Sequence, residues 1–319
     1  MVFEATRQTT RIAIIGAGDV GAAIAFACIM SHAAGEILLV DVKPAFLAAQ
    51  VLDLNDAAYR GTPSIRAGTF EEAGQCDIIV VTAGAKQRPG ESRLELIGRN
   101  IRILREVIGE MRPFKNDAIL LLVANPVDVL TCFAQEVSGL PREQVIGSGT
   151  FLDSIRLKKR ISEKSGISAN SIEAYVLGEH GDSQFVAWSI ATICGTPLLK
   201  ALPPSTFDAD AIGEQCRNAA ATIIDGKGAT SFGIGAVVSS ICSTILLDKH
   251  LVRPISHWVP ELGCCISLPV VLGRRGAARA LPLGLSDEEN ALLEKSAETL
   301  RGVIADVRRD FEVEGVSAE

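Results

Sequence analysis

Histidine is scarce in this chain, with four among 319 residues, and so are the aromatics, at 5% with only two tryptophans and two tyrosines. Basic residues are outnumbered by acidic ones, for a formal charge of −7, which argues against a broad polyanion-binding face. A local cationic pocket for an acidic small molecule stays compatible with that balance. No apolar run continues for the ~20 residues that a membrane-spanning helix needs. The opening "MVFEATRQTTR" lacks the apolar core of a signal peptide. Eight cysteines are present without a CxxC pair, and the one close couple is Cys264-Cys265. Such scatter offers no metal-ligand spacing and fits small buried hydrophobes in a reducing cytosol. The expectation is a cytoplasmic protein with no nucleic-acid, membrane or metal partner.

What is abundant is aliphatic. Hydrophobic residues make up 48% of the chain, and they fall in short runs separated by helical patterns. "RIAII" (11–15), "EILLVD" (36–41), "CDIIVVTAG" (76–84) and "AILLLVANP" (118–126) read as strands. Between them lie an Ala-rich helix over 20–31, a helix from Pro44 toward Tyr59, and an amphipathic helix after residue 92. The last carries Leu94, Ile97, Ile101, Leu104 and Ile108 at helical spacing. Strands alternating with helices predict a parallel sheet covered on both faces. Beyond about Gly147 the pattern changes. It predicts a basic helix over 154–165, strands near 171–177 and 184–193, helices near 208–225 and 232–247, then more sheet and a long C-terminal helix over 286–311. The fold class is therefore α/β, a Rossmann doubly wound parallel sheet over 1–147 followed by an α+β catalytic domain over 148–319.

"GAGDVG" places Gly16, Gly18 and Gly21 in GxGxxG spacing, with Asp19 and Val20 opening the helix, directly after a strand. The first glycine permits a tight turn, the second lets a pyrophosphate approach the backbone, and the third allows helix and strand to pack closely. Asp41 ends the second strand twenty residues after Gly21. A carboxylate there accepts from ribose hydroxyls and repels a 2′-phosphate, so NAD is favoured over NADP. Gly84, closing the third strand, belongs to the same cofactor-binding set.

His180, in "LGEHGDS", follows an apolar run; an ordinary loop histidine reads the same way. Reduction of a carbonyl, however, needs a proton donor near neutral pH, a carboxylate to hold the imidazolium, and cations to seat an anionic substrate. Asp153 and Arg156, three apart in "GTFLDSIRLKKR", share a helix face and supply the second and third. Their alternative is a capping aspartate on a solvated basic helix, and Arg93 is by itself an unremarkable arginine at the end of a loop. That loop, "AGAKQRPGESR" (83–93), keeps a neutral amide, Gln87, between Lys86 and Arg88.

Together, "IGAGDVG", "TAGAKQRPGESR", "VANPVD", "GSGTFLDSIR", "GEHGDS", "GKGATSFGIG" and "LPVVLGRRG" resemble the L-2-hydroxy acid dehydrogenases of the lactate/malate dehydrogenase family, in order and over nearly the whole chain. The resemblance implies roles. His180 would be the acid/base group, oriented by Asp153. Arg156 would clasp the substrate carboxylate with two N–H groups, and Arg93 would polarise the carbonyl after loop closure. Asn125 would touch substrate and nicotinamide, and Thr230 would line the pocket. The position of Gln87 would face the substrate's variable group, where malate dehydrogenases carry an arginine for the second carboxylate. A neutral glutamine would leave that anion buried and unpaired, which favours pyruvate and the lactate branch over the malate branch. The alternatives are an L-2-hydroxyisocaproate-type enzyme acting on longer 2-oxo acids and a non-catalytic NAD-binding protein. The resemblance further implies a glycolytic setting and a homotetramer, with a dimer as the alternative. Where bacterial members bind fructose 1,6-bisphosphate through an arginine and a histidine, this chain has Lys158 and Glu173, so no such activation is expected.

Overall fold

A run such as Ile78–Val81, β-branched throughout and buried at every residue, needs a helical layer on each face of its strand. The computed structural model describes residues 9–60, 63–85, 90–202 and 208–313. Its first half runs β1 (Arg11–Ile15), α1 (Asp19–Met30), β2 (Glu36–Val40), α2 (Pro44–Ala57), β3 (Ser64–Ala67), α3 (Phe70–Gly74), β4 (Ile78–Val81), α4 (Arg93–Met111), β5 (Ile119–Leu122), α5 (Val127–Ser138) and β6 (Val145–Gly147). The second half runs α6 (Phe151–Ser165), β7 (Ile172–Glu173), β8 (Val176–Leu177), β9 (Phe185–Val186), β10 (Thr192–Ile193), β11 (Thr196–Pro197), α7 (Leu198–Ala201), α8 (Ala209–Lys227), α9 (Phe232–Leu246), β12 (Leu251–Val259), β13 (Cys264–Gly273), β14 (Gly276–Ala280) and α10 (Asp287–Val313).

One nine-stranded sheet has the order β14-β13-β12-β6-β5-β4-β1-β2-β3. Strands β1 to β6 are parallel, in the doubly wound order 3-2-1-4-5-6, with Ile12 beside both Ile37 and Ile78. The period-two alternation of a strand then sorts the core. Ala13 and Ile15 join the layer built with Ile101, Leu104, Phe133 and Leu300. Ile12 and Ile14 join the opposite layer, with Ile24, Val237 and Ile241. Each fully buried isoleucine, leucine, valine or phenylalanine side chain there contributes about 1.5–3 kcal/mol.

The sheet does not stop where the sequence pattern changes. β6 pairs antiparallel with β12, Gly147 opposite Ser256, and β12 continues into the β13 and β14 hairpins. Apart from the sheet, the second half has its own cluster around Leu157, Ile161, Ile172 and Ile212. The strands expected near 171–177 and 184–193 are only two-residue pieces in small separate sheets. Among the described residues no helix is long and apolar enough to cross a membrane. The eight cysteines are free thiols, all buried except Cys194.

Candidate active site

The first βα turn is built around close backbone approach. Gly16 has φ +95, and a Cβ there would lie 2.8 Å from Thr82 Oγ1; on Gly21 it would lie 1.9 Å from the Gly16 carbonyl oxygen. Both positions therefore exclude any side chain. A Cβ on Gly18 would meet nothing within 4 Å, so that face of the turn is open. Thr82 fixes the turn by donating its hydroxyl to the Ile15 and Gly16 carbonyls at 2.9 Å. Gly18 caps α1 without a side-chain bond, which leaves the helix N-terminus available to an anion. This turn opens onto a cleft of about 650 Å³ whose wall includes Gly18, Asp19, Val20, Asp41, Gly84 and Ala85. It lies at the carboxyl ends of β1, β2 and β4, where the strand order reverses, the place where open α/β sheets bind nucleotides.

Asp41 has a job in the protein before any ligand. Its Oδ2 accepts from the Ala17 N–H at 2.8 Å and its Oδ1 from the Lys43 N–H at 3.0 Å. Each oxygen keeps a further lone pair for a hydroxyl group. The glycine turn, the uncapped helix and this carboxylate at the cleft wall fit a dinucleotide.

The second constellation lies on the same edge of the sheet. Gly178, at φ +96, turns the chain out of β8, and its N–H and carbonyl pair with Ser267 of β13 at 3.1 Å each. His180 follows. Its Nδ1 lies 2.8 Å from Asp153 Oδ2, in the first turn of α6, and Arg156 Nη1 donates to Asp153 Oδ1 at 3.0 Å. With Nδ1 turned to the carboxylate, Nε2 is the ring atom left to exchange a proton. Burial opposes charge on this imidazole, but the Asp153 hydrogen bond and charge outweigh it, so its pKa is raised. Burial likewise pushes the Asp153 carboxyl up, and the His180 and Arg156 contacts bring it below its ordinary value.

Arg93 opens α4 and is exposed. Its guanidinium lies 3.6 Å from Glu179 Oε1 and 3.7 Å from Asp182 Oδ2, turned to the acidic shoulder of the histidine loop rather than to the ring. Asn125 is exposed, after β5 and before a cis bond to Pro126. Thr230 is half-buried between α8 and α9, next to Ala229, which lines the cleft. Gln87, Lys86 and Arg88 lie outside the described residues. Lys158 and Glu173 are joined by an ion pair of 3.1 Å, and Tyr175 donates its hydroxyl to the same Glu173 oxygen at 3.1 Å. Burial, then the Glu173 charge, pushes the Tyr175 hydroxyl up to about 12.

Three polar residues of the site were not singled out by the sequence. Asn100, on α4, accepts the Ala85 N–H at 2.8 Å and donates to the Asn125 carbonyl at 3.0 Å, strapping the cofactor-side loop to the one after β5. Its signal was available, since an amide stands on the apolar stripe between Ile97 and Leu104. Asp128, in the "NPVD" stretch, is fully buried and accepts the His180 N–H at 2.7 Å. Glu179 is also buried and takes the Ser183 hydroxyl at 2.6 Å. Among the described residues no cluster of three or more His, Cys, Asp or Glu side chains is placed to hold a metal.

Comparison with known proteins bears on the whole chain. The model of the lactate/malate dehydrogenase NAD-binding domain matches residues 10–147, and that of the family's alpha/beta C-terminal domain matches 150–310. The chain is 48% identical to L-lactate dehydrogenase A of Rhizopus oryzae over 294 residues, 92% of each chain. It is 40% identical to an L-lactate dehydrogenase of Synechococcus sp., covering 92% of this chain and 98% of that one. A lactate dehydrogenase from a Medee basin deep-sea metagenome library superposes with a TM-score of 0.89 at 34% identity, over 94% of this chain and 99% of that one. A minor L-lactate dehydrogenase from Enterococcus mundtii gives the same TM-score at 33% identity, over 94% and 98%. Dinucleotide cleft, histidine–carboxylate pair and chain-long similarity converge, and the chain belongs to the lactate/malate dehydrogenase family.

Proposed function

We propose that this protein is an NAD-dependent L-lactate dehydrogenase, reducing pyruvate reversibly to L-lactate. The observation that carries the reading is the chain His180–Asp153–Arg156, with contacts of 2.8 and 3.0 Å, on the edge of the sheet that also carries the dinucleotide cleft. When bound, NADH supplies the hydride that adds to the carbonyl carbon. The protein supplies everything else. Arg156 spends one nitrogen on Asp153 and offers the rest of its fork to the substrate carboxylate, a planar match that fixes the orientation of the carbonyl. His180 Nε2 gives its proton to the carbonyl oxygen as that atom becomes an alkoxide, and takes the hydroxyl proton in the reverse direction. Asp153 orients the ring throughout, holding the neutral imidazole as its Nδ1–H tautomer and stabilising the imidazolium. Arg93 exchanges Glu179 and Asp182 for the developing oxyanion. Asn125 and Thr230 bound the substrate.

Gln87 sets the choice of substrate, since a neutral amide suits the methyl group of pyruvate and leaves a second carboxylate without a counter-charge. The test is NADH oxidation with pyruvate, oxaloacetate and 2-oxoisocaproate side by side, repeated with Gln87→Arg. The expected result is preference for pyruvate in the parent and a swing toward oxaloacetate in the variant. Parent preference for oxaloacetate would refute the lactate assignment, and preference for the longer acid would move the protein to the hydroxyisocaproate type.

The proposed setting is cytoplasmic glycolysis, and the proposed assembly is a homotetramer. Exposed Phe26, Leu52, Tyr59 and Phe232 lie on or beside α1, α2 and α9, helices in contact with one another through α1, and apolar side chains gathered on adjoining helices support self-association. A monomeric mass by light scattering would overturn the assembly.

A further inference from the structure

We infer that Asp128 is a positioning residue for the proton step, a carboxylate beneath the 178–183 loop that clamps the His180 backbone and adds its negative charge to that of Asp153. The inference rests on the acid/base reading of His180. It starts from a mismatch between the residue and its bonds. Asp128 is 2% exposed. One oxygen accepts the His180 N–H at 2.7 Å, and the other meets the Ser267 hydroxyl at 3.4 Å. A carboxylate has about four acceptor positions, and burying one so sparsely bonded is costly. An asparagine would accept the same N–H without that cost, so the charge itself needs a reason. The imidazole carried by the clamped residue is the one titratable cation on that loop.

The clamp ties several elements together. Asp128 sits in the first turn of α5, Ser267 on β13 pairs with Gly178 on both sides of its peptide, and the Ser267 hydroxyl also accepts the Thr150 N–H, just before α6, at 3.2 Å. The groups facing this region are Asp153 and Arg156 from α6, Glu179 from the histidine loop, and the thiols of Cys264 and Cys265 from β13. Glu179 repels Asp128, and Arg156 opposes a charged His180, so the two aspartates are what favour the imidazolium. Burial pushes the Asp128 carboxyl up to about 6, against the pull of the Ser256 hydroxyl and then of the His180 backbone bond and charge, which leaves it ionised at neutral pH.

The experiment is an NMR titration of the full-length protein labelled in its histidine rings. Four histidines give few signals, and His180→Asn assigns the one of interest. The expected effect of Asp128→Asn is a fall of about one pH unit in the His180 midpoint. The upper pH limb of kcat/KM for pyruvate moves by the same amount, while NADH binding does not change. Asp128→Ala, which also removes the acceptor, lowers kcat by about tenfold more on the low-pH plateau. An unmoved His180 midpoint in Asp128→Asn would overturn the inference. If that variant does not fold, the parent decides instead. Its His180 midpoint should lie above the ordinary imidazole value of 6.5, and a midpoint at or below that value refutes the added charge. The NMR readout needs no substrate. A normal His180 shift in a protein inert toward every 2-oxo acid would count against the dehydrogenase reading alone.

Discussion

Replacing Asn100 by leucine tests whether one buried amide holds the two loops of the site together. Leucine matches asparagine in branching and suits the apolar stripe of α4, so the change removes hydrogen bonds with little change of shape. Asn100 is 4% exposed, and it serves the Ala85 N–H at 2.8 Å and the Asn125 carbonyl at 3.0 Å. Asn125 is exposed, so its carbonyl regains water, and the net loss there is about 1 kcal/mol. Ala85 is half-buried and its N–H is left without an acceptor, at about 1–3 kcal/mol. The sum is ~2–4 kcal/mol, reduced slightly by the apolar burial of the leucine. Gly84 and Ala85 line the cofactor cleft, so part of this loss falls on the bound state. At about 1.4 kcal/mol per tenfold, NADH binds roughly 10-fold more weakly, and the melting temperature drops by several degrees. Fluorescence titration with NADH and thermal unfolding measure both. A leucine variant that binds NADH within a factor of two of the parent and melts with it would show that the strap holds nothing.

Three further outcomes follow from the site. Arg156→Lys keeps the charge but loses the two-pronged fork, so pyruvate KM should rise about 100-fold with NADH affinity unchanged; an unchanged KM would remove Arg156 from the substrate. The His180 pKa is raised, burial opposing the charge and Asp153 more than offsetting it, so the stabilisation is complete below the unfolded value of 6.5 and is lost as pH rises through the folded value. Pyruvate reduction, which needs the imidazolium, should fall along that same limb while lactate oxidation rises; steady-state rates in both directions would reveal a shared midpoint or refute it. Fructose 1,6-bisphosphate should leave the pyruvate saturation curve unmoved, because Glu173 already takes Lys158 at 3.1 Å and presents negative charge to a phosphate; activation by it would show that the ion pair opens.

The parallel half of the fold was legible because each strand is a short apolar run, and the glycine turn and Asp41 stand at a spacing that only a βα unit explains. Other elements left no such trace. α5 is buried on nearly every side, its polar Asp128, Thr131, Gln135 and Ser138 included, so although these recur at helical spacing in "VDVLTCFAQEVS" they mark no solvent face. β3 buries only Ile65, and an edge strand with one inward residue makes no run. Over 171–193 the chain contacts several elements in turn, and pairing lasts two residues at a time, below what alternation can show. In the site, residue chemistry and resemblance mark His180, Asp153 and Arg156, whereas Asn100 shows only as an amide on an apolar stripe and Asp128 shows no sign of its role. Both act on backbone groups of residues distant in sequence, 52 positions away for the Asp128–His180 bond. No local spacing records a bond of that kind.

The core layer shared by Ile12, Ile14, Val237 and Ile241 bears on how the chain is made. On the ribosome the first six strands emerge long before α9, which covers one of their faces. The delay spans about a hundred residues, or roughly 5–20 s at ordinary elongation rates. Through that interval the nascent sheet has α1 and α2 but not α9 on that face, which leaves part of its apolar surface and the β6 edge exposed, both targets for aggregation. Synthesis of this protein should therefore depend on chaperone occupancy between the emergence of β6 and that of α9. A fragment ending at residue 147 should precipitate rather than fold.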